Sequence, residues 1–131
     1  MMTLTQAHTA LLEHVSQFTG IDQERIQYAQ VSNDFVVPQT GLWCAVDILG
    51  SQSVISGLAD QPLTRRISML QITCYARPNT GLIALNKLVD DWLKHLEYYK
   101  VDALECLNAE VSQGENKDFV VRYIQLPFRI N

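Results

Sequence analysis

Between Arg66 and Tyr99 the spacing of apolar residues changes once, and that change constrains the fold more than any other feature of the chain. From Arg66 to Ala76 the residues alternate, with Ser68, Leu70, Ile72, Cys74 and Ala76 on one side and Ile67, Met69, Gln71, Thr73 and Tyr75 on the other. A two-residue repeat of this kind is a strand with unlike faces. After Arg77-Pro78-Asn79-Thr80-Gly81 the repeat becomes helical, and Leu85, Leu88, Val89, Trp92, Leu96 and Tyr99 line one stripe. Pro78 holds Arg77 out of helical geometry, and Asn79 or Thr80 is expected to cap the helix. A strand that turns directly into an amphipathic helix buries both apolar sets only if the helix lies back over a sheet. The chain is therefore expected to form layers.

Other segments fit the same plan. Thr3 and Gln6 form a capping box, and Leu4, Ala7, Leu11, Val15 and Phe18 predict a helix from about Leu4 to Thr19, stopped by Gly20. Arg25–Gln30 predicts a short strand. Leu42–Leu49 predicts a longer one, with Leu42, Cys44, Val46 and Ile48 toward the core and Trp43, Ala45 and Asp47 away from it. Gly50–Thr64, with its two glycines, three serines and one proline, reads as a long loop. Ala103–Ser112 and Asp118–Ile130 alternate again, joined through Gln113–Lys117, and Pro127 predicts a sheet edge or a bulge. The expected fold is α+β: a single domain over residues 1–131, mainly an antiparallel sheet with two helices packed on one face.

Composition narrows the function. A chain of 131 residues that is 47% hydrophobic and 18% charged can bury one core without staples. The net charge of -4 and a lone basic pair, Arg65-Arg66, do not make the cationic face that nucleic acid requires, so no nucleic-acid partner is expected. Cys44, Cys74 and Cys106 each sit in apolar, strand-like runs and read as free thiols of a reducing compartment. The N-terminal stretch lacks the form of a secretory signal, and no apolar run approaches the roughly 20 residues of a membrane helix. A cytoplasmic protein with no membrane partner is expected.

No set of residues calls for catalysis, a cofactor or a metal. His8 and His14 are six apart and do not share a helix face, while His95 follows Asp91 by one turn, which suggests surface pairing. The loop after Gly50 lacks the Gly-Lys-Ser/Thr ending of a phosphate-binding loop. Asp47 is the most enzyme-like carboxylate but falls on the non-core side of its strand, and Glu105 and Glu110 have opposite phases. Trp43, Met69, Tyr75 and Phe119 also fall on second faces, where a monomer should be polar. Self-association explains them most economically. Ligand binding in a concave sheet and isolated exposed aromatics are the alternatives.

The order of these elements resembles the tail terminator proteins of long-tailed bacteriophages and their prophage relatives. The likeness is carried by the N-terminal amphipathic helix, LWCAVDIL, the long loop, RRISMLQITCYARPNTG, IALNKLVDDWLKHL and the closing VRYIQLPFRIN. It implies a structural subunit that forms a ring, usually a hexamer, on the tail tube, stops tube polymerisation and offers a surface to the head. The implied partners are further copies of itself, the tail tube protein and a head-completion protein; the implied location is the cytoplasm during assembly and then the virion tail. In this setting Gly50–Thr64 would be an arm that orders on assembly, with Arg65 and Arg66 at its root pairing with acidic groups, and Trp43, Asp47, Met69 and Tyr75 would meet a neighbour. A second expectation, from another class, is a small-molecule-binding protein or minor enzyme with a pocket between sheet and helices, using Asp47, Tyr75 or His95. A third is another head-to-tail joining factor.

Overall fold

The computed structural model describes residues 2–28, 35–56, 63–78, 80–114 and 118–130, with backbone alone for 50–56 and 63–67. Its centre is a ladder of three antiparallel strands: β2 (Leu42–Ser56), β3 (Leu63–Ala76) and β7 (Val120–Ile130). The register sets Val46, Ile72 and Ile124 in one row, and Ile48, Leu70 and Leu126 in the next. Residues of like phase thus stack across all three strands, which lets the alternation in each strand produce one continuous apolar face.

The loop expected over Gly50–Thr64 is corrected to strand for most of its length. β2 runs through Ser56 and β3 resumes at Leu63, paired Ser53↔Arg66, Val54↔Arg65 and Ser56↔Leu63. The register shifts between Leu49 and Ser51, so Gly50 lies at a bulge. Glycine and serine made the segment look like a loop because composition reflects side chains, whereas this ladder is made by backbone amides. Residues 57–62 lie outside those described.

β1 (Ile26–Tyr28) pairs with β2 in parallel, Ile26 against Cys44, so the sheet is mixed and not purely antiparallel. The strand expected over Ala103–Ser112 is two short ones, β5 (Leu104–Cys106) and β6 (Glu110–Gly114), which lie in succession along the same flank of β7. β4 (Lys100–Val101) pairs outside β5, and the main strand order is β1-β2-β3-β7-β5-β4.

This arrangement overturns the edge position expected for Pro127. β7 has neighbours on both sides, and Pro127 sits opposite Met69 without a register shift. The Pro127 carbonyl accepts from Leu107 N at 2.9 Å, in the gap between β5 and β6. In an antiparallel strand a residue's N–H and C=O point to the same flank. The amide that proline lacks would therefore also have faced this gap, and no bond to β3 is lost.

Helix α1 (Leu4–Ser16) opens with the expected reciprocal cap, Thr3 N to Gln6 Oε1 at 2.9 Å and Gln6 N to Thr3 Oγ1 at 3.1 Å. It ends at Ser16, not Thr19, and Gln17 stays right-handed, so Gly20 does not terminate it. Gly20 provides room instead. A Cβ there would lie 2.4 Å from Phe18 Cζ, and the Phe18 ring stacks on Trp92 at 3.7 Å. Helix α2 (Leu82–Leu96) has Gly81, not Thr80, at its N-cap. The Thr80 amide is used in the turn, bonding Arg77 O at 3.1 Å, and Asn79 is outside the described residues. Gly81, at φ +102°, is the residue before the helix. A side chain would be strained in that conformation.

Ala7, Leu11, Val15 and Phe18 of the first helical region and Leu85, Leu88, Val89, Trp92 and Leu96 of α2 share one core. The strands contribute Cys44, Val46, Leu70, Ile72, Cys74, Ile124, Leu126 and Phe128 to it. Trp92 is fully buried, and its Nε1–H donates to Cys44 Sγ at 3.4 Å. Replacing Gly20 by Ala should push Phe18 off Trp92 and cost about 1–3 kcal/mol, as overpacking does. Thermal melting would record the loss, and tryptophan fluorescence would report the displaced stack.

Candidate functional site

Trp43 and Tyr75 are direct cross-strand partners on the sheet face away from the core, and their rings stack at 5.3 Å. Phe119, just before β7, meets both rings edge-on, at 4.9 Å and 6.1 Å. The Arg77 guanidinium lies 5.2 Å from the Trp43 ring and 4.9 Å from that of Phe119. It is held there by Pro38 O, which accepts from Arg77 Nε at 3.2 Å and Nη2 at 3.0 Å. Trp43 is consequently only 3% exposed. The expectation that it faces outward to meet a neighbour is corrected: its own chain covers it, because the turn after β3 folds an arginine over Trp43 and Phe119.

The remaining candidates are spread along the same strands. Asp47 pairs with Gln71, and its Oδ1 accepts from the Ile48 amide at 2.8 Å. Met69, between Leu49 and Pro127, is six residues from Tyr75, about 20 Å along a strand. Arg65 and Arg66 belong to β3, opposite Val54 and Ser53, and their side chains lie outside those described. The structure thus brings Trp43 and Tyr75 together, with Asp47 and Met69 further along the same strands.

Exposed large apolar side chains flank the Trp43–Tyr75 cluster in sequence, in the segment leading into β2 and in the first turn of α2. Val36 is 81% exposed and Ile83 is 85% exposed, with Val37 and Leu82 exposed beside them. Arg77 links the two segments, since it holds Pro38 while its own chain continues to Gly81. A hollow of about 190 Å³ lies between Ala76, Arg77, Gly81, Leu82, Leu85 and Val120. Sequence reasoning missed this rim. The signal was present in α2, where Leu82 and Ile83 precede the buried stripe that begins at Leu85.

The histidines also differ from expectation. His95 does not pair with Asp91 at the surface; its Nε2 lies 2.6 Å from His14 O, and His14 Nε2 lies 2.7 Å from His95 O. A carbonyl only accepts, so each ring presents an Nε2–H. The two rings stack at 4.0 Å, and Tyr99 stacks on the other side of His14 at 3.6 Å. Burial lowers the His14 pKa from its ordinary 6.5, the bond to the His95 carbonyl opposes this, and the neighbouring His95 charge adds to the lowering.

Asp47, Tyr75 and His95, the alternative candidates for a pocket between sheet and helices, have three separate surroundings. Trp92, Phe128 and Leu70 are fully buried in that interlayer. A solvent-open groove of about 600 Å³ runs instead along α1, lined by Thr5, Gln6, Thr9, Glu13 and Asp102 among others. Glu105 is paired with Arg129 at 3.1 Å. All three cysteines are free and buried; burial pushes the Cys106 thiol up to about 12, and contact with Cys44 followed by burial holds Cys74 well above its ordinary range. Among the described residues there is no group of three or more His, Cys, Asp or Glu placed to hold a metal, and no helix is long and apolar enough to cross a membrane.

No family model matches the chain, and no curated protein matches it. A solved structure, named only by a sequence identifier, superposes on 98% of this chain and 96% of its own at a TM-score of 0.69 and 9% identity. That likeness shows the fold: a single α+β domain with a mixed, mainly antiparallel sheet.

Arg77→Ala should uncover Trp43 and lower stability by about 1–2 kcal/mol, the scale of a desolvated cation–π contact. A red shift in tryptophan emission together with a lower melting temperature would confirm it. For His14, a folded pKa below the unfolded one means that the unfolded chain takes up the proton first. Its stabilising contribution is full above pH 6.5 and declines as pH falls toward the folded value. His14→Gln should flatten that part of the melting-temperature profile, measured against pH.

Proposed function

We propose that this chain is a ring-forming assembly subunit that caps the tail tube of a long-tailed bacteriophage, ends its polymerisation and presents the surface to which the head is joined. The exposed apolar rim of Val36, Val37, Leu82 and Ile83 carries the reading. Large apolar groups left exposed on a small domain favour a protein contact that removes them from water. Both helices cover one face of the sheet in this reading, in keeping with their shared core with strand residues of a single phase. The sheet end and the opposite face remain for neighbours.

The contact is heterologous: a patch on one copy meets a different patch on the next, and rotation closes the ring. Six copies follow from the family resemblance. The partners are the tail tube protein below and a head-completion protein above, and the protein passes from the cytoplasm into the virion tail. Trp43, Tyr75 and Arg77 serve by fixing the position of Pro38 beside the rim. Binding is the activity, and no bond is made or broken.

Ile83→Asp and Val36→Asp should each leave folding stability within about 0.5 kcal/mol, since both side chains are exposed. Both should reduce self-association by light scattering. Added to polymerising tube protein from the same genome, the unaltered chain should shorten the tubes seen by negative stain, and the two variants should not. Tubes of unchanged length with the unaltered chain would end this reading.

A further inference from the structure

Among the described residues, and apart from the outer flanks of the short end strands β1 and β4, the sheet leaves two longer edges unpaired, on opposite flanks. β2 is paired with β3 throughout, but on its other flank β1 reaches only Cys44–Val46, and among the described residues no strand lies beside Ser51–Ser56. The β3–β7 ladder ends at Arg66↔Ile130. Val54–Ser56 with Leu63–Arg65 therefore forms a two-stranded ribbon beyond the last pairing of β7. Such a ribbon is marginal alone in water. Open edges are ordinarily blunted by charge or proline, yet Ile48–Leu58 contains neither.

The second edge belongs to β6. It pairs with β7 alone among the described strands, and Glu110, Val111, Ser112 and Gln113 are all exposed. The two edges are close in length, five residues in β6 and six in Ser51–Ser56, and together carry a single charge, Glu110.

We propose that Ser51–Ser56 of one copy adds as a strand to the β6 edge of the next copy, so that the sheet continues across the subunit boundary. This rests on the ring reading and supplies its contact. Strand addition gains backbone hydrogen bonds without disturbing the pairing of either copy. A foreign strand on one edge would leave the other open, whereas a second copy covers both in every subunit of a closed ring. For this reason the occupant is another copy of this chain.

Cysteine placement tests the contact, because the natural thiols are buried and do not compete. Ser53→Cys and Ser112→Cys, mixed as single variants and treated with a short bis-maleimide, should give a cross-linked dimer; neither should cross-link alone. The double variant should give a ladder of multimers. Gln52→Cys with Gln113→Cys repeats the test at neighbouring positions should the first pair impair folding. In parallel, amides of 51–56 and 110–114 should gain exchange protection in the assembled protein. Oligomers that form without these cross-links, or that cross-link through Ser53→Cys alone, would overturn this contact and leave the ring standing. Absence of both oligomers and cross-links would overturn both.

Discussion

The indole of Trp92 ties the layers together. It is fully buried, stacks on Phe18 from the region after α1 and donates to Cys44 on β2, whose sulfur lies 3.9 Å from that of Cys74 on β3. One side chain thus touches material from both helical regions and the centre of the sheet. Tryptophan suits this place because it contributes a large apolar area with a single donor, and that donor is satisfied by a soft sulfur. The requirement for Gly20 follows from it, since the Phe18 ring occupies the space a side chain would need.

A second fastening lies one turn further along α2, where His14 and His95 exchange hydrogen bonds with each other's carbonyls. These are carbonyls in the last turns of two helices, where intrahelical partners run out. The stacked imidazoles bond them reciprocally, at His14 in addition to the Gln17 amide that its carbonyl already accepts at 3.1 Å, and tie the two helix ends together. The aromatic cluster of Trp43, Tyr75 and Phe119, with Arg77 over Trp43 and Phe119, does comparable work on the far face. What the domain presents to its surroundings is therefore set by elements that are themselves closed, and the apolar rim and the open edges are what remain.

Much of the fold was legible from periodicity. The stripe from Leu85 to Leu96, the alternation of β3 and the Thr3–Gln6 cap all follow from local spacing, and the structure has them where they were expected. The extension of β2 past Gly50 was not legible, because a backbone ladder leaves little mark on a serine-rich sequence. The histidine pair was hidden for a different reason: His14 and His95 are 81 positions apart, and their contact depends on how two helices meet. Of the site, the adjacency of Trp43 and Tyr75 needed a register, while the use of Arg77 as the cover of Trp43 needed the turn geometry. Leu82 and Ile83 were visible as apolar residues ahead of the buried stripe, and only burial separates such a pair from core.

Pro127 also bears on the unfinished chain. β7 is the longest run of alternating apolar residues after the second helix, and in a newly made polypeptide such a run is a ready template for pairing with copies of itself. A stacked, misassembled ladder needs an amide from every residue in it, and this strand withholds one. The native sheet loses nothing, because its flanking strands change over at that position. The imino acid thus acts as a gatekeeper against aggregation that the finished molecule carries without cost.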